Sequence, residues 1–264
     1  MPRIIAAGAA VAVLAVAAFG GWYFLIRDDA PPPVSLADAV ASLEATTVAT
    51  TSGGSASDAT AEPETSATVD PSSVVTPEGQ SGGGADEGLD GTWSVVAGES
   101  FVGYRVGEEL ARIGTTTAVG RTGEVSGRLV YDGAAITTVE IEADMTALQS
   151  DDDRRDRTLR NQSIETASFP TASFVLTQPI ALDVAPEEGV PIAVTAVGEL
   201  TLHGVTRAIE IPLEGQLTSG AVVVVGSAEI LFADYDIEEP SALAVISVQD
   251  HGTIEFQLIL QRTG

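Results

Sequence analysis

The chain of 264 residues carries 38 acidic residues against 12 arginines, and it contains neither lysine nor cysteine. A formal net charge of −26 without a basic cluster excludes the electrostatic footprint of a nucleic-acid-binding protein. The lack of cysteine excludes disulfides, thiolate metal ligands and cysteine nucleophiles, and two histidines leave little for a metal site. We therefore expect no nucleic-acid partner, no metal and no cofactor.

The first apolar stretch runs from Ile4 to Ile26, which is 23 residues without a charge. As a helix it would be about 35 Å long, enough to cross a hydrocarbon core of about 30 Å. Arg3 precedes it and acidic residues follow, so the positive-inside bias predicts a cytoplasmic N-terminus and an extracytoplasmic remainder. Cleavage after Ala15-Val16-Ala17 would instead release a secreted protein. We favour an uncleaved, single-pass anchor to the cell membrane over residues 1–27, because the start left by cleavage would still be strongly apolar.

Residues 28–90 form an acidic linker. The stretch from Asp28 to Gly91 holds twelve acidic residues and no basic or aromatic one. Such a composition cannot bury enough apolar surface to offset its ordering entropy, so we predict disorder and a reach of about 45 Å. Leu36, Val40 and Leu43 recur at helical spacing, which is typical of a short docking helix or of a transient helical turn. We favour the transient turn.

The remaining residues, 91–264, alternate between apolar and polar side chains and are punctuated by glycine-rich turns, as strands do. Two tight hairpins are predicted, over Leu202–Val205 and over Gln249–Gly252, where glycine permits a positive φ. The predicted strands are Trp93–Val96, Phe101–Val106, Glu124–Tyr131, Thr138–Met145, Ala172–Ile180, Thr195–Leu202, Val205–Leu213, Ala221–Phe232 and Thr253–Gln261.

One stretch breaks the strand pattern. It runs from Ser150 to Asn161, begins with a residue type that caps helices, and has acids in its first turn and arginines later. This order matches the helix dipole and predicts a short helix. Three consecutive aspartates raise the alternative of a cation site, but we favour capping and ion pairs on a solvated helix face.

Successive antiparallel strands with one apolar face predict an all-β fold, either a closed up-and-down barrel or a sandwich. The apolar face includes small residues such as Gly127, Gly198 and Gly226. In a barrel of eight strands, small inward residues favour a ligand cavity. The alternative is that these glycines serve to bend the strands.

The hairpin sequence from Gly198 to Arg207, GELTLHGVTR, resembles the G-x-L-T-L-H-G-V-T-K hairpin of the YceI-like family, lipocalin-type proteins that bind polyisoprenoids. Asp156–Arg160 and Phe169–Phe174 are similar to the R-D-x-x-L segment and the F/Y-P-x-x-x-F strand entry of that family. The resemblance covers residues 91–262 and implies an eight-stranded lipocalin-like barrel with one short helix, enclosing a tunnel for an isoprenoid chain. Phe232–Pro240 departs from the family because it lacks an R-x-D-F-G segment.

The candidate ligand-binding residues are the large apolar side chains that the alternation places on the dry face, together with two polar ones. Arg105 alternates with Phe101 and Gly103, which points it inward, where it meets a lipid head group; the alternatives are an internal ion pair and a rim position. His203 lies in a turn, where it would contact the mouth of a ligand tunnel. The full set is Phe101, Arg105, Leu129, Ile141, Phe174, Leu200, His203, Ile209 and Phe256.

No catalytic residue is predicted. His203 and His251 lie in turns, and the sequence places no orienting acid and nucleophile beside either of them. Asp234 and Asp236 merely share one face of the chain. The sequence thus predicts a carrier or sequestering protein for an apolar, isoprenoid lipid. The alternatives are an envelope interaction module with a filled barrel and a lipid-modifying enzyme.

Overall fold

The computed structural model describes residues 30–52, 88–111, 114–239 and 245–263. These residues form two α-helices, α1 (Leu36–Ser52) and α2 (Asp153–Thr158), and thirteen β-strands. The strands are β1 (Gly91–Val95), β2 (Phe101–Leu110), β3 (Gly114–Thr122), β4 (Val125–Tyr131), β5 (Ala135–Asp144), β6 (Gln149–Ser150), β7 (Thr171–Leu176), β8 (Ile180–Ala181), β9 (Ile192–Leu202), β10 (Val205–Thr218), β11 (Ala221–Leu231), β12 (Val245–Val248) and β13 (His251–Thr263).

Eight of these strands close into an antiparallel barrel. The order around the barrel is β1, β4, β5, β7, β9, β10, β11 and β13, and the ring closes because β13 also pairs with β1. The predicted all-β barrel of eight strands is therefore confirmed, and the alternative of a sandwich is wrong. The wall extends at one end, where β2 continues along β13 beyond β1 and then pairs with β3 and β12.

The segment that connects β1 to β2 remains hydrogen-bonded to β13. Val96 donates its backbone N–H to the carbonyl oxygen of Ile259 at 2.8 Å. The hydroxyl of Ser100 accepts the backbone N–H of Ile259 at 2.9 Å. Backbone groups buried at this break are thereby satisfied, as a wall without an open edge requires.

The sheet differs from the sequence prediction in β3, β6, β8 and β12, which were not predicted as separate strands, and in one hairpin. β3 was not predicted, because its sequence GTTTAVGRT carries no large apolar residue except Val119. The hairpin predicted over Gln249–Gly252 is wrong, since the chain does not reverse there. Instead β12 and β13 both run along β2, and between them Gln249 donates its backbone N–H to Gly107 at 3.0 Å.

The predicted short helix after Ser150 is present, but it begins later. Ser150 belongs to β6, and the cap is Asp152, whose carboxylate accepts the backbone N–H of Arg154 at 2.7 Å. The helix continues beyond Thr158 as a π-helical turn over Leu159–Ser163. The cap is shifted because the Ser150 hydroxyl is engaged by the Asp156 carboxylate at 2.7 Å.

The segment expected to form a transient turn is instead a docked helix. In α1, Leu36 and Ala39 are buried against Val223 of β11 and Ile259 of β13, on the outer face of the barrel. Ser35 caps the helix by accepting the backbone N–H of Asp38 at 3.2 Å. The apolar stripe at helical spacing, described in the sequence as a docking alternative, therefore has a partner surface.

The predicted anchor over residues 1–27 lies outside the described residues, as does the linker from residue 53 to residue 87. Their predicted structure is untested. Neither α1 nor α2, the helices of the described ranges, combines the length and the apolar character that a membrane span requires.

Candidate functional site

The interior of the barrel contains a cavity of about 300 Å³. Its lining is mainly apolar and includes both ends of β9, from Ile192 to Leu202. Ten residue steps along a strand correspond to about 33 Å. Because strands of such a barrel tilt by about 40°, the cavity extends for about 25 Å along the barrel axis, which suits an extended chain. Its volume lies at the lower end of the range for ligand pockets.

Inward glycines keep this cavity open by holding aromatic rings against the wall. A Cβ atom at Gly198 would lie 2.4 Å from the ring of Phe174, and one at Gly226 would lie 2.6 Å from the ring of Phe256. Each ring thus occupies the space that a side chain on the neighbouring strand would fill. Because the glycines have no side chain, the aromatic rings lie flat against the wall, and the centre of the barrel remains open.

Five of the nine predicted ligand-binding residues line the cavity. They lie on β4, β5, β7, β9 and β13, so they surround the space from different sides. They are Leu129, Ile141, Phe174, Leu200 and Phe256. The other four lie elsewhere.

Phe101 and Arg105 point out of the barrel, because the alternation of β2 has the opposite phase to the predicted one. Tyr104 faces the cavity, which puts Arg105 on the outside. There the Arg105 guanidinium pairs with Glu255 at 3.4 Å. The ring of Phe101 lies 4.1 Å beneath the guanidinium of Arg121. The inward orientation predicted for Arg105 is therefore wrong: its ion pair lies on the outer wall, and Arg105 is not among the residues that line the cavity.

Ile209 is partly buried and packs on a cluster that contains Leu202, Ile230 and Tyr235, but it is not part of the cavity lining. It lies opposite Gly198 in the pairing of β9 with β10. Its packing stabilises the end of the barrel at which the hairpin turns.

His203 ties three segments together at that end. Its φ of 52° places it in the left-handed region of a two-residue turn, before Gly204. Nδ1 lies 3.1 Å from the carbonyl oxygen of Tyr235, Nε2 lies 3.1 Å from a carboxylate oxygen of Glu165, and the ring packs edge-on against Phe169. The predicted turn is confirmed, and the histidine joins the hairpin to the loops around it. It is not among the residues that line the cavity.

A polar group in the cavity wall was missed by the sequence analysis. Tyr104 and Glu108 of β2 and Arg155 of α2 all line the cavity. The Arg155 guanidinium pairs with the Glu108 carboxylate at 2.5 Å, although the sequence placed this arginine on a solvated helix face. Burial raises the pKa of the Tyr104 hydroxyl well above its ordinary value. The alternate residues Val102, Tyr104 and Val106 of β2 form a second possible apolar face. Choosing that face as the inner one would have placed Tyr104 in the cavity.

The sequence model that describes the YceI-like domain family matches residues 93–260 of this chain. The chain belongs to this family. The resemblance in the hairpin and strand motifs is thereby confirmed over almost all of the barrel. Members of the family are binding proteins rather than known enzymes.

Similar proteins include the UPF0312 protein of Shewanella denitrificans, which is 31% identical over 138 residues, 49% of this chain and 69% of that protein. Among solved structures, a polyisoprenoid binding domain from Saccharophagus degradans, implicated in plant cell wall breakdown, has 21% identity and a TM-score of 0.53. It covers 65% of this chain and 98% of its own. BcnA from Burkholderia cenocepacia has 18% identity and a TM-score of 0.48, covering 62% of this chain and 98% of its own.

Within the described ranges, no three His, Asp or Glu side chains are arranged to hold a metal ion. The exposed His251 imidazole hydrogen-bonds with Asp250 at 2.7 Å, and this bond raises the pKa of the histidine. Asp250 lies between β12 and β13, His251 is the first residue of β13, and neither residue lines the cavity.

Proposed function

We propose that this protein binds an apolar lipid of the polyisoprenoid type inside its barrel and serves as an extracytoplasmic carrier or sequestering protein. The observation that supports this proposal most strongly is the cavity of about 300 Å³ that follows the barrel axis. Its open interior favours lipid binding over an interaction module with a filled barrel. The Saccharophagus degradans structure, which shares the fold, is that of a polyisoprenoid binding domain.

The energetics suit a carrier. Each methylene moved from water into an apolar cavity gains about 0.8 kcal/mol, so a long chain needs few polar contacts. A lipid that moves from a bilayer into the cavity exchanges one apolar environment for another, and the net change is small. Such a protein shields the lipid from water and can release it again to a membrane.

The position of α1 shortens the distance between the barrel and the proposed membrane anchor. The Arg105 guanidinium, on the outer wall, donates to the carbonyl oxygen of Pro31 at 2.7 Å. Four residue steps separate Arg27 from Pro31, and a fully extended chain covers about 14 Å in that number of steps. If residues 4–26 span the membrane, the barrel is held beside the bilayer and not at the 45 Å reach of a free linker. This arrangement supports loading of the lipid from the same membrane.

The proposal is tested with a matched pair of variants of the full chain in detergent, using geranylgeraniol, a C20 prenyl alcohol, as the probe. Val224→Trp places an indole in the cavity that Val224 lines. Val175→Trp makes the same change on the outer face of β7, where Val175 is 45% exposed. We expect Val224→Trp to weaken binding at least tenfold, because the indole takes the space of the chain, and Val175→Trp to bind as the wild type does.

Unfolding midpoints of both variants, followed by circular dichroism, control for loss of the fold. Equal binding by the two variants would place the lipid outside the barrel and contradict the proposal. Mass spectrometry of a solvent extract of the purified protein then identifies the lipid that is carried.

A further inference from the structure

The two ends of the cavity are covered by different segments. β9 runs the length of the barrel, so the residues that precede it and the hairpin that follows it lie at opposite ends. Residues 182–190 precede β9, and Leu182 and Pro186 of this segment line the cavity at the first end. At the second end the lining includes residues of the π-helical turn after α2 and Phe232, which begins a 3₁₀-helical turn.

The second end is held by packed and polar contacts together. His203 lies 3.1 Å from the carbonyl oxygen of Tyr235 and 3.1 Å from the carboxylate of Glu165, so it joins both covering segments to the hairpin. Ile164 and Ile237, one from each covering segment, pack on the buried cluster at this end. Opening the barrel here would break all of these contacts.

The segment of residues 182–190 is attached to the barrel mainly at its two margins. The backbone N–H of Leu182 donates to the carbonyl oxygen of Ala134, in the turn between β4 and β5, at 3.1 Å. The backbone N–H of Gly189 donates to the carbonyl oxygen of Leu217 at 2.8 Å. Residues 183–187 make no hydrogen bond to any described residue of the barrel. The middle of the segment is therefore free of polar attachments to the wall.

Little of this segment is buried. Leu182 and Pro186 are partly buried, and the other seven residues are exposed. Val184 is 64% exposed and Val190 is 44% exposed, although both are apolar. Local opening costs least where few apolar contacts and few hydrogen bonds are lost, so this segment opens more easily than the cover at the second end.

One side chain holds the segment against the opposite hairpin. The carboxylate of Glu188 accepts the backbone N–H of Ser219, in the turn between β10 and β11. Glu188 is itself exposed, and it is the bridge partner of Leu217 at the end of β10. Its contact therefore fixes the margin of the segment that lies farther along the chain.

We propose that residues 182–190 form a lid over the first end of the barrel, and that the lipid enters and leaves the cavity there and not beside α2. This inference rests on the proposed function and adds the route by which the ligand exchanges. Glu188 holds the lid closed through Ser219. Opening of the lid precedes both entry and exit, so it sets both rates and leaves the affinity unchanged.

The first test compares Glu188→Ala with Glu165→Ala, since each removes a carboxylate that holds a cover at one end. Uptake of tritiated geranylgeraniol by the full chain in detergent, and its release into excess unlabelled lipid, are followed by filtration. We expect Glu188→Ala to raise both rates about fivefold, the worth of one hydrogen bond, with a dissociation constant within twofold of the wild type. Glu165→Ala should leave both rates unchanged within twofold.

The second test locks the lid with a disulfide. The chain has no cysteine, so an introduced pair forms one defined bond. Glu188→Cys with Leu217→Cys joins bridge partners, whose spacing suits a disulfide. We expect its oxidised form to release the probe at least tenfold more slowly than its form reduced by dithiothreitol. Arg128→Cys with Glu140→Cys, a pair across β4 and β5 on the outer wall, is the matched control and should release the probe equally in both forms.

Mass spectrometry confirms that each disulfide has formed. Equal release with the lid disulfide oxidised and reduced would overturn the inference. Faster exchange in Glu165→Ala than in Glu188→Ala would also overturn it, because the entrance would then lie beside α2. A change in release alone in Glu188→Ala would mean that Glu188 stabilises the bound lipid and does not control a lid. A wild-type protein that binds no geranylgeraniol would contradict the proposed function itself, which separates the two failures.

Discussion

Strand β11 is buried on both of its faces, but the inner face borders the cavity and the outer face is covered by a helix. On the inner face, Val222 and Val224 border the open cavity. On the outer face, Val223 and Val225 are covered by α1, and Val223 is fully buried. A buried apolar face therefore marks either a packed contact or a ligand space, and the difference depends on whether another segment of the chain fills it.

The polar groups on the two sides of the wall also differ. Outside, the carboxylate of Glu255 is 1% exposed and lies between Arg121, at 2.8 Å, and Arg105, at 3.4 Å. The negative charge of Glu255 is matched by arginines of β2 and β3. Inside, the hydroxyls of Tyr104 and Ser163 lack hydrogen-bond partners among the described residues. The outer face is packed and paired like a protein interior, whereas the inner face borders the open cavity and keeps hydroxyls without partners.

The largest predicted effect tests how complete the outer face is. Replacement of Glu255 by Ala would leave Arg105 and Arg121 without their carboxylate in a largely buried place. We expect a loss of about 3 kcal/mol in the free energy of unfolding, at the lower end of the range for buried pairs because both arginines keep some contact with water. Urea unfolding at neutral pH measures it.

The control for this variant is Glu140→Ala, which breaks the pair of Arg128 and Glu140 on the barrel surface. These side chains are 53% and 49% exposed. We expect a change of about 0.5 kcal/mol or less, since solvent screens exposed pairs. Similar losses in the two variants would mean that burial does not strengthen the network of Glu255.

An intermediate effect distinguishes the two faces of β11 directly. Val223→Ala leaves a void between the strand and α1, and we expect it to cost about 2 kcal/mol. Val224→Ala removes the same atoms from a position that already borders open space, so the cost should stay below about 1 kcal/mol. The two unfolding curves give the difference. A larger loss for Val224 than for Val223 would show that the interior is packed.

The smallest effect concerns the docking of α1 itself. Ser35→Ala removes the hydroxyl that accepts the backbone N–H of Asp38. We expect it to weaken the docked helix by about 1 kcal/mol, since it removes an N-cap. Hydrogen exchange should become faster in α1 and remain unchanged in β11. Faster exchange throughout the barrel would instead indicate that α1 and the barrel unfold as one unit.

Part of this arrangement could be predicted from the sequence. The hairpin with His203 was found because a two-residue turn containing glycine carries a strong local signal. The phase of β2 was predicted wrongly because Phe101 and Tyr104 lie at positions of opposite parity, so each face carries an aromatic residue. Alternation then does not determine which face is inside.

The covered outer face also had a signal. The run Ala221-Val222-Val223-Val224-Val225 is apolar at every position, which is typical of strands buried on both faces. Together with the helical spacing of Leu36, Val40 and Leu43, it indicates that a helix covers the strand. Local patterns do not show that α1 packs on β11, because the two segments are about 180 residues apart in the sequence.

The sequence by itself determined the barrel class, the family and the apolar character of the interior, because these depend on alternation, turn chemistry and motifs read along the chain. The tertiary structure decided which parity of β2 faces inward, that α1 covers β11, and that Tyr104, Ser163 and Arg155 line the same cavity. These facts depend on strand register and on contacts between distant segments. A shift of one residue in register exchanges the two faces of a strand, so they exist only once the barrel has closed.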